Sequence, residues 1–230
     1  TQALAWGETH AGSCATNNKL ITSLVALPAY TGTSMGKYVY AHAAAGQNDI
    51  GVISMNGSID GTSCLANAAG ASALTNSATA TQGWGATLSA SATPTAIVYI
   101  ATPAGTTTGK LLVAYSSSTL NAVGSVSNAL VMYDINETSA AAALINNGQI
   151  LYHDHSYFFG VTAMAYDSST SSLYVATSNS LDVAPVGYNI EKFTIDMTTP
   201  GATRVPNADQ SSFQSANSFN NCVTGMFVGN

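Results

Sequence analysis

The sequence predicts an all-β fold built from a repeated multi-stranded unit, and three observations predict it. Short apolar runs recur between clusters of Gly, Ser, Thr, Asn and Asp, the punctuation of strands and turns rather than of long helices. A Tyr-, Val- and Leu-rich segment returns three times, as Gly36-Lys37-Tyr38-Val39-Tyr40-Ala41, Gly109-Lys110-Leu111-Leu112-Val113-Ala114 and Ser171-Ser172-Leu173-Tyr174-Val175-Ala176, at offsets of 73 and 62 residues. Polar and apolar residues alternate through Lys192-Phe193-Thr194-Ile195-Asp196, which is the period of a half-buried antiparallel strand.

Each element follows in chain order. An apolar stretch ending in a Gly, Ser or Thr turn precedes each repeated segment, at 24–30, 96–101 and 161–167, so each pair reads as a hairpin. A third β-type run follows at 50–56, 129–136 and 189–196. Val223-Thr224-Gly225-Met226 repeats Val161-Thr162-Ala163-Met164 at that same offset of 62, so a fourth copy begins there. The units span 20–93, 94–156 and 157–219 with a partial unit at 220–230, all within one repeat domain, and each full unit leaves room for a fourth strand. Only the Ala-rich stretches 66–80 and 140–144 invite a helical turn. Gly70 and many Ser, Thr and Asn interrupt the first, which reads as a long loop.

The segment Val161-Thr162-Ala163-Met164-Ala165-Tyr166-Asp167, then Leu173-Tyr174-Val175-Ala176-Thr177, then Ile190-Glu191-Lys192-Phe193-Thr194-Ile195-Asp196 resembles a β-propeller blade. The resemblance is to blade architecture and runs from about Leu20 onward; the Trp-Asp and Gly-His signatures of WD40 repeats and the double glycine of kelch repeats are missing. It implies β-propeller-like repeats, about three and a half blades, with extended loops because blades usually repeat every 40 to 50 or so residues. Rings close with roughly 4 to 8 blades, so the N-terminal segment 1–19, another chain, or a longer parent chain would complete this one. A β-sandwich is the structural alternative.

Composition narrows the function. The 230 residues are 46% hydrophobic, enough for a sizeable core, but only 7% charged, against about 25% in ordinary soluble domains. Five Lys and Arg against eleven Asp and Glu, a net charge of −6, leave no cationic surface for nucleic acid. No apolar run approaches the roughly 20 residues of a transmembrane segment. A neutral, hydroxyl-rich surface suits an extracellular or cell-surface protein, and Asn56-Gly57-Ser58 and Asn136-Glu137-Thr138 read as N-glycosylation acceptors. The chain opens at Thr1 without a basic and then apolar leader, so export is inferred from composition alone. Cys14, Cys64 and Cys222 lack metal-ribbon, redox or haem spacing and imply one disulfide plus a free thiol. Cys14 with Cys64 closes the shorter loop and is preferred, while Cys14 with Cys222 would tie the chain ends together.

Chemistry-bearing motifs are sparse. Gly105-Thr106-Thr107-Thr108-Gly109-Lys110 is one residue short of a phosphate-binding loop and has Leu111 where a hydroxyl would hold magnesium, so it reads as a hairpin turn. His153-Asp154-His155 is the densest ligand cluster; in an extended segment His153 and His155 share a face and could hold a divalent metal with a third ligand from elsewhere, such as His10, His42, Asp167 or Asp182. No other cofactor is implied. Asn56-Gly57-Ser58-Ile59-Asp60-Gly61 lacks the alternate acids of a calcium loop and reads as a β-turn, and no Gly-x-Ser-x-Gly elbow occurs. Tyr38, Tyr40, Tyr115, Tyr133 and Tyr174 fall in or beside the repeated strands as core, and Trp84 between two glycines reads as a loop anchor.

These features lead to a binding or structural protein, an adhesion, receptor-like or assembly subunit, whose partner is a protein, a carbohydrate or another copy of itself. The alternative is a propeller-type secreted enzyme, a lactonase, glycosidase or lyase. That alternative requires several of Asp49, Asp134, Asp154, Asp167, Glu191, His153 and His155 to meet in one pocket.

Overall fold

The computed structural model describes residues 20–26, 36–44, 47–55, 59–67, 75–76, 88–89, 92–101, 108–117, 122, 124–136, 143–144, 148–153, 158–178, 188–199, 201–205 and 225–228. Every regular element among them is a β-strand, and they form three sheets. The first is an antiparallel meander of β1 (Leu20–Ala26), β2 (Gly36–Ala44), β3 (Gln47–Met55) and β4 (Ile59–Asn67). The second contains β5 (Thr75–Asn76), β6 (Thr93–Ile100), β7 (Thr108–Ser116), β8 (Ala129–Asn136), β9 (Ala143–Leu144) and β10 (Gln149–Tyr152), with spatial order β5-β10-β8-β7-β6 and β9 paired to β8. The third is a meander of β11 (Ala163–Asp167), β12 (Ser172–Ser178), β13 (Tyr188–Asp196) and β14 (Gly201–Arg204).

The aligned segments of the sequence occupy equivalent places. Residues 36–41, 109–114 and 172–176 lie in β2, β7 and β12, the second strands of the three meanders, and the third runs lie in β3, β8 and β13. β4 and β14 come fourth in the first and third sheets, while in the second the two-residue β9 and then β10 follow β8. Two expectations are corrected. The stretch 66–80 is not one loop: Ala66 and Asn67 extend β4, and Thr75–Asn76 pairs parallel with β10 in the second sheet. Ala143–Leu144, within the second helix-compatible stretch, forms β9 instead, because pairing with Ile135 and Asn136 outweighs the weak helical preference of a few alanines. The first strand starts at Leu20 and ends at Ala26, ahead of Pro28.

Turn chemistry sets the third sheet. Asp167 closes the β11–β12 hairpin: its carboxylate accepts hydrogen bonds from the Ser169 amide at 2.9 Å and from the Thr170 hydroxyl at 2.7 Å. Ser171, the only non-glycine with positive φ among the described residues, turns the chain into β12 at φ 52. Asp196 repeats the device, accepting from the Thr198 and Thr199 amides at 2.8 and 3.0 Å before β14.

The core lies in two layers, one on each face of the second sheet. Leu111, Val113 and Tyr115 of β7 with Val131, Tyr133 and Ile135 of β8 pack toward the first sheet, meeting Ala41 and Ile50. The intervening Leu112, Ala114, Leu130 and Met132 pack toward the third, meeting Leu173, Val175, Phe193 and Ile195. Strands buried on both faces read as continuous apolar runs, as Leu111-Leu112-Val113-Ala114 does. Phe158 and Phe193, with ring centroids 6.0 Å apart, and Tyr152, 4.9 Å from Phe193, form an aromatic cluster that ties β10 to β13.

Candidate functional site

β1, β6 and β11 are each an edge strand of their sheet, and β6 touches both β1 and β11. Between them opens a cleft of about 450 Å³, walled by 22–25 of β1, 96–99 of β6, 162–166 leading into and along β11, and the segment 225–228. A second hollow of about 420 Å³ lies on the other side of 225–228, against Ala165, Tyr174 and Ile190 of the third sheet.

Local sequence explains the walls. Pro94 is accommodated because β6 is an edge strand, where a missing N–H forfeits no ladder bond. Hydroxyls of β1 then cap the polar edge of β6: Thr22 Oγ1 donates to the Pro94 carbonyl at 2.7 Å, and Ser23 Oγ accepts from the Ile97 amide at 3.1 Å. Two further wall hydroxyls, Tyr99 Oη and Thr162 Oγ1, are buried without a hydrogen-bond partner among the described residues. Each such group carries a penalty of about 1–3 kcal/mol until a water or ligand meets it. At the rim Phe227 is 91% exposed and Leu24 49% exposed, two of the few large apolar side chains turned to solvent among the described residues. None of the described wall residues is charged.

Among the described residues, the ionisable candidates from the sequence do not line this cleft. Asp134 forms a cross-strand ion pair with its register partner Lys110, on the second sheet. That places Gly109-Lys110 inside β7, without the helix that a phosphate-binding loop introduces. Glu191 is buried and paired with Arg204 Nε at 2.8 Å, joining β13 to β14. Asp167 ends β11, and its carboxyl is held below the usual range, chiefly by the Ser169 hydroxyl and then by that of Thr170. His153 is buried just after β10. Asp49 lies in β3 opposite His42 of β2. Asp154, His155, His10 and Asp182 lie outside the described residues. Among the described residues, no group of three or more His, Cys, Asp and Glu could hold a metal ion.

The remaining expectations fall as follows. Asn136 ends β8 and is paired in register with Thr108 and Ala143, whereas Asn56 lies outside the described residues. Cys64 is in β4 opposite Gly51; Cys14 and Cys222 lie outside, as do Trp6 and Trp84. Tyr115 and Tyr133 are core, their hydroxyls 2.9 Å apart, and burial pushes the Tyr133 hydroxyl up to about 12. Among the described residues no helix is long and apolar enough to cross a membrane.

Sequence reasoning singled out acids and histidines and passed over Thr22, Ser23, Tyr99 and Thr162. The signal that could have found them is positional: each lies on or beside β1, β6 or β11, strands left at a sheet edge. No family model, curated protein or solved structure matches the chain.

Proposed function

We propose that the chain is an extracellular or cell-surface binding or assembly protein whose three sheets are successive propeller-like blades, in units 20–93, 94–156 and 157–219. The observation that carries the reading is the meeting of β1, β6 and β11 at one cleft whose described walls hold no carboxylate or imidazole. Leading strands gathered around one opening, with sheets stacked face to face outward from them, is the arrangement that blades adopt. Of the acids that catalysis would require, Asp167 closes a turn while Asp134 and Glu191 form ion pairs within their sheets. A low-charge surface and the acceptor tripeptide at Asn136 support the extracellular placement.

The role is tested by two measurements on the intact chain. Sedimentation velocity across a concentration series is expected to reveal association with itself or with a supplied extracellular partner. Assays with lactone, glycoside and polyuronate substrates are expected to show no turnover. Turnover abolished by Asp134→Asn or Glu191→Gln would replace this reading with the secreted-enzyme alternative. A crystal structure with two sheets packed as a sandwich and the leading strands dispersed would remove the blade assignment.

A further inference from the structure

We draw no further inference here: the strongest candidate, the cleft between β1, β6 and β11 with Phe227 exposed at its rim, carries nothing because nothing in the structure shows what covers it.

Discussion

The second and third sheets are built from similar strands but solve burial differently. In β7 and β8 of the second sheet, consecutive residues from Leu111 to Tyr115 and from Ala129 to Tyr133 are buried, because a sheet covers each face. In β13 of the third sheet, Phe193 and Ile195 are buried while Thr194 and Asp196 are exposed. The opposite face of that sheet carries Ala163, Ala165 and Ala176 with Tyr174 and Ile190, and the last two are only half-buried, beside the second hollow, because no further sheet covers them among the described residues. The position of a sheet in the stack therefore decides whether its strands read as continuous or alternating, even where the repeat aligns them. The same contrast separates Lys110–Asp134, about a quarter exposed, from Glu191–Arg204, where the acid is only 4% exposed.

Truncation of core side chains tests this contrast with the largest expected effect. Phe193→Ala is expected to cost about 3–5 kcal/mol, and Leu111→Ala and Leu112→Ala each about 2–5 kcal/mol, by urea denaturation. Adjacent positions in the second sheet should thus both be costly. In the third, Thr194→Ala beside Phe193 should change stability by no more than about 0.5 kcal/mol. Equal tolerance at Leu111 and Thr194 would show that the second sheet is not covered on both faces.

Next in size is Gly148→Ala at the start of β10. Gly148 has φ +87, and an added Cβ would stand 2.5 Å from Cε1 of the Tyr133 ring. Left-handed strain of about 1–2 kcal/mol adds to overpacking of about 1–3 kcal/mol, so a loss of about 2–5 kcal/mol is expected. The double variant Gly148→Ala with Tyr133→Leu should recover part of the steric share and none of the backbone share, a partition readable in a double-mutant cycle.

Much of the architecture was legible because it is local. Turn residues and strand periodicity place the second and third strands of each unit, and Asp167 and Asp196 followed by Ser or Thr mark their turns. Pairings between distant segments were not. Nothing in Thr75-Asn76 signals a parallel partner at Gln149-Ile150, because two residues carry no period. The cleft was hidden for the same reason: Thr22, Ile97, Thr162 and Phe227 are ordinary strand and loop residues until stacking brings β1, β6 and β11 together. Nor does the sequence show that Glu191 is buried and matched by Arg204 within its own sheet, since that pairing depends on the register of β13 and β14.

Tyr133 provides a smaller effect that depends on pH. Its hydroxyl is raised to about 12 by burial, partly offset by the Tyr115 hydrogen bond, while an unfolded tyrosine ionises near 10. The folded state therefore retains a proton that the unfolded state releases: the stabilising contribution is whole below about pH 10 and is lost as pH rises toward 12, by about 1.4 kcal/mol per pH unit. Tyr133→Phe should lower stability by about 1 kcal/mol at neutral pH and flatten that alkaline slope. An unchanged slope would place the buried ionisation elsewhere.

The smallest effect belongs to the third sheet's exposed turn. The folded pKa of Asp167 is lowered, so its contribution is present above the ordinary carboxylate range and fades as pH falls through the folded value. Because the carboxylate is exposed, solvent screens it and its removal should loosen the hairpin rather than unfold the sheet. Asp167→Ala is expected to speed amide exchange at Ser169 and leave the urea midpoint of the chain nearly unchanged, while Asp167→Asn, which keeps an acceptor oxygen, should preserve most of the protection and erase its acid sensitivity. A large drop in the urea midpoint for Asp167→Ala would mean that this turn nucleates the third sheet, and that its strands depend more on local closure than on the layer formed by Phe193 and Ile195.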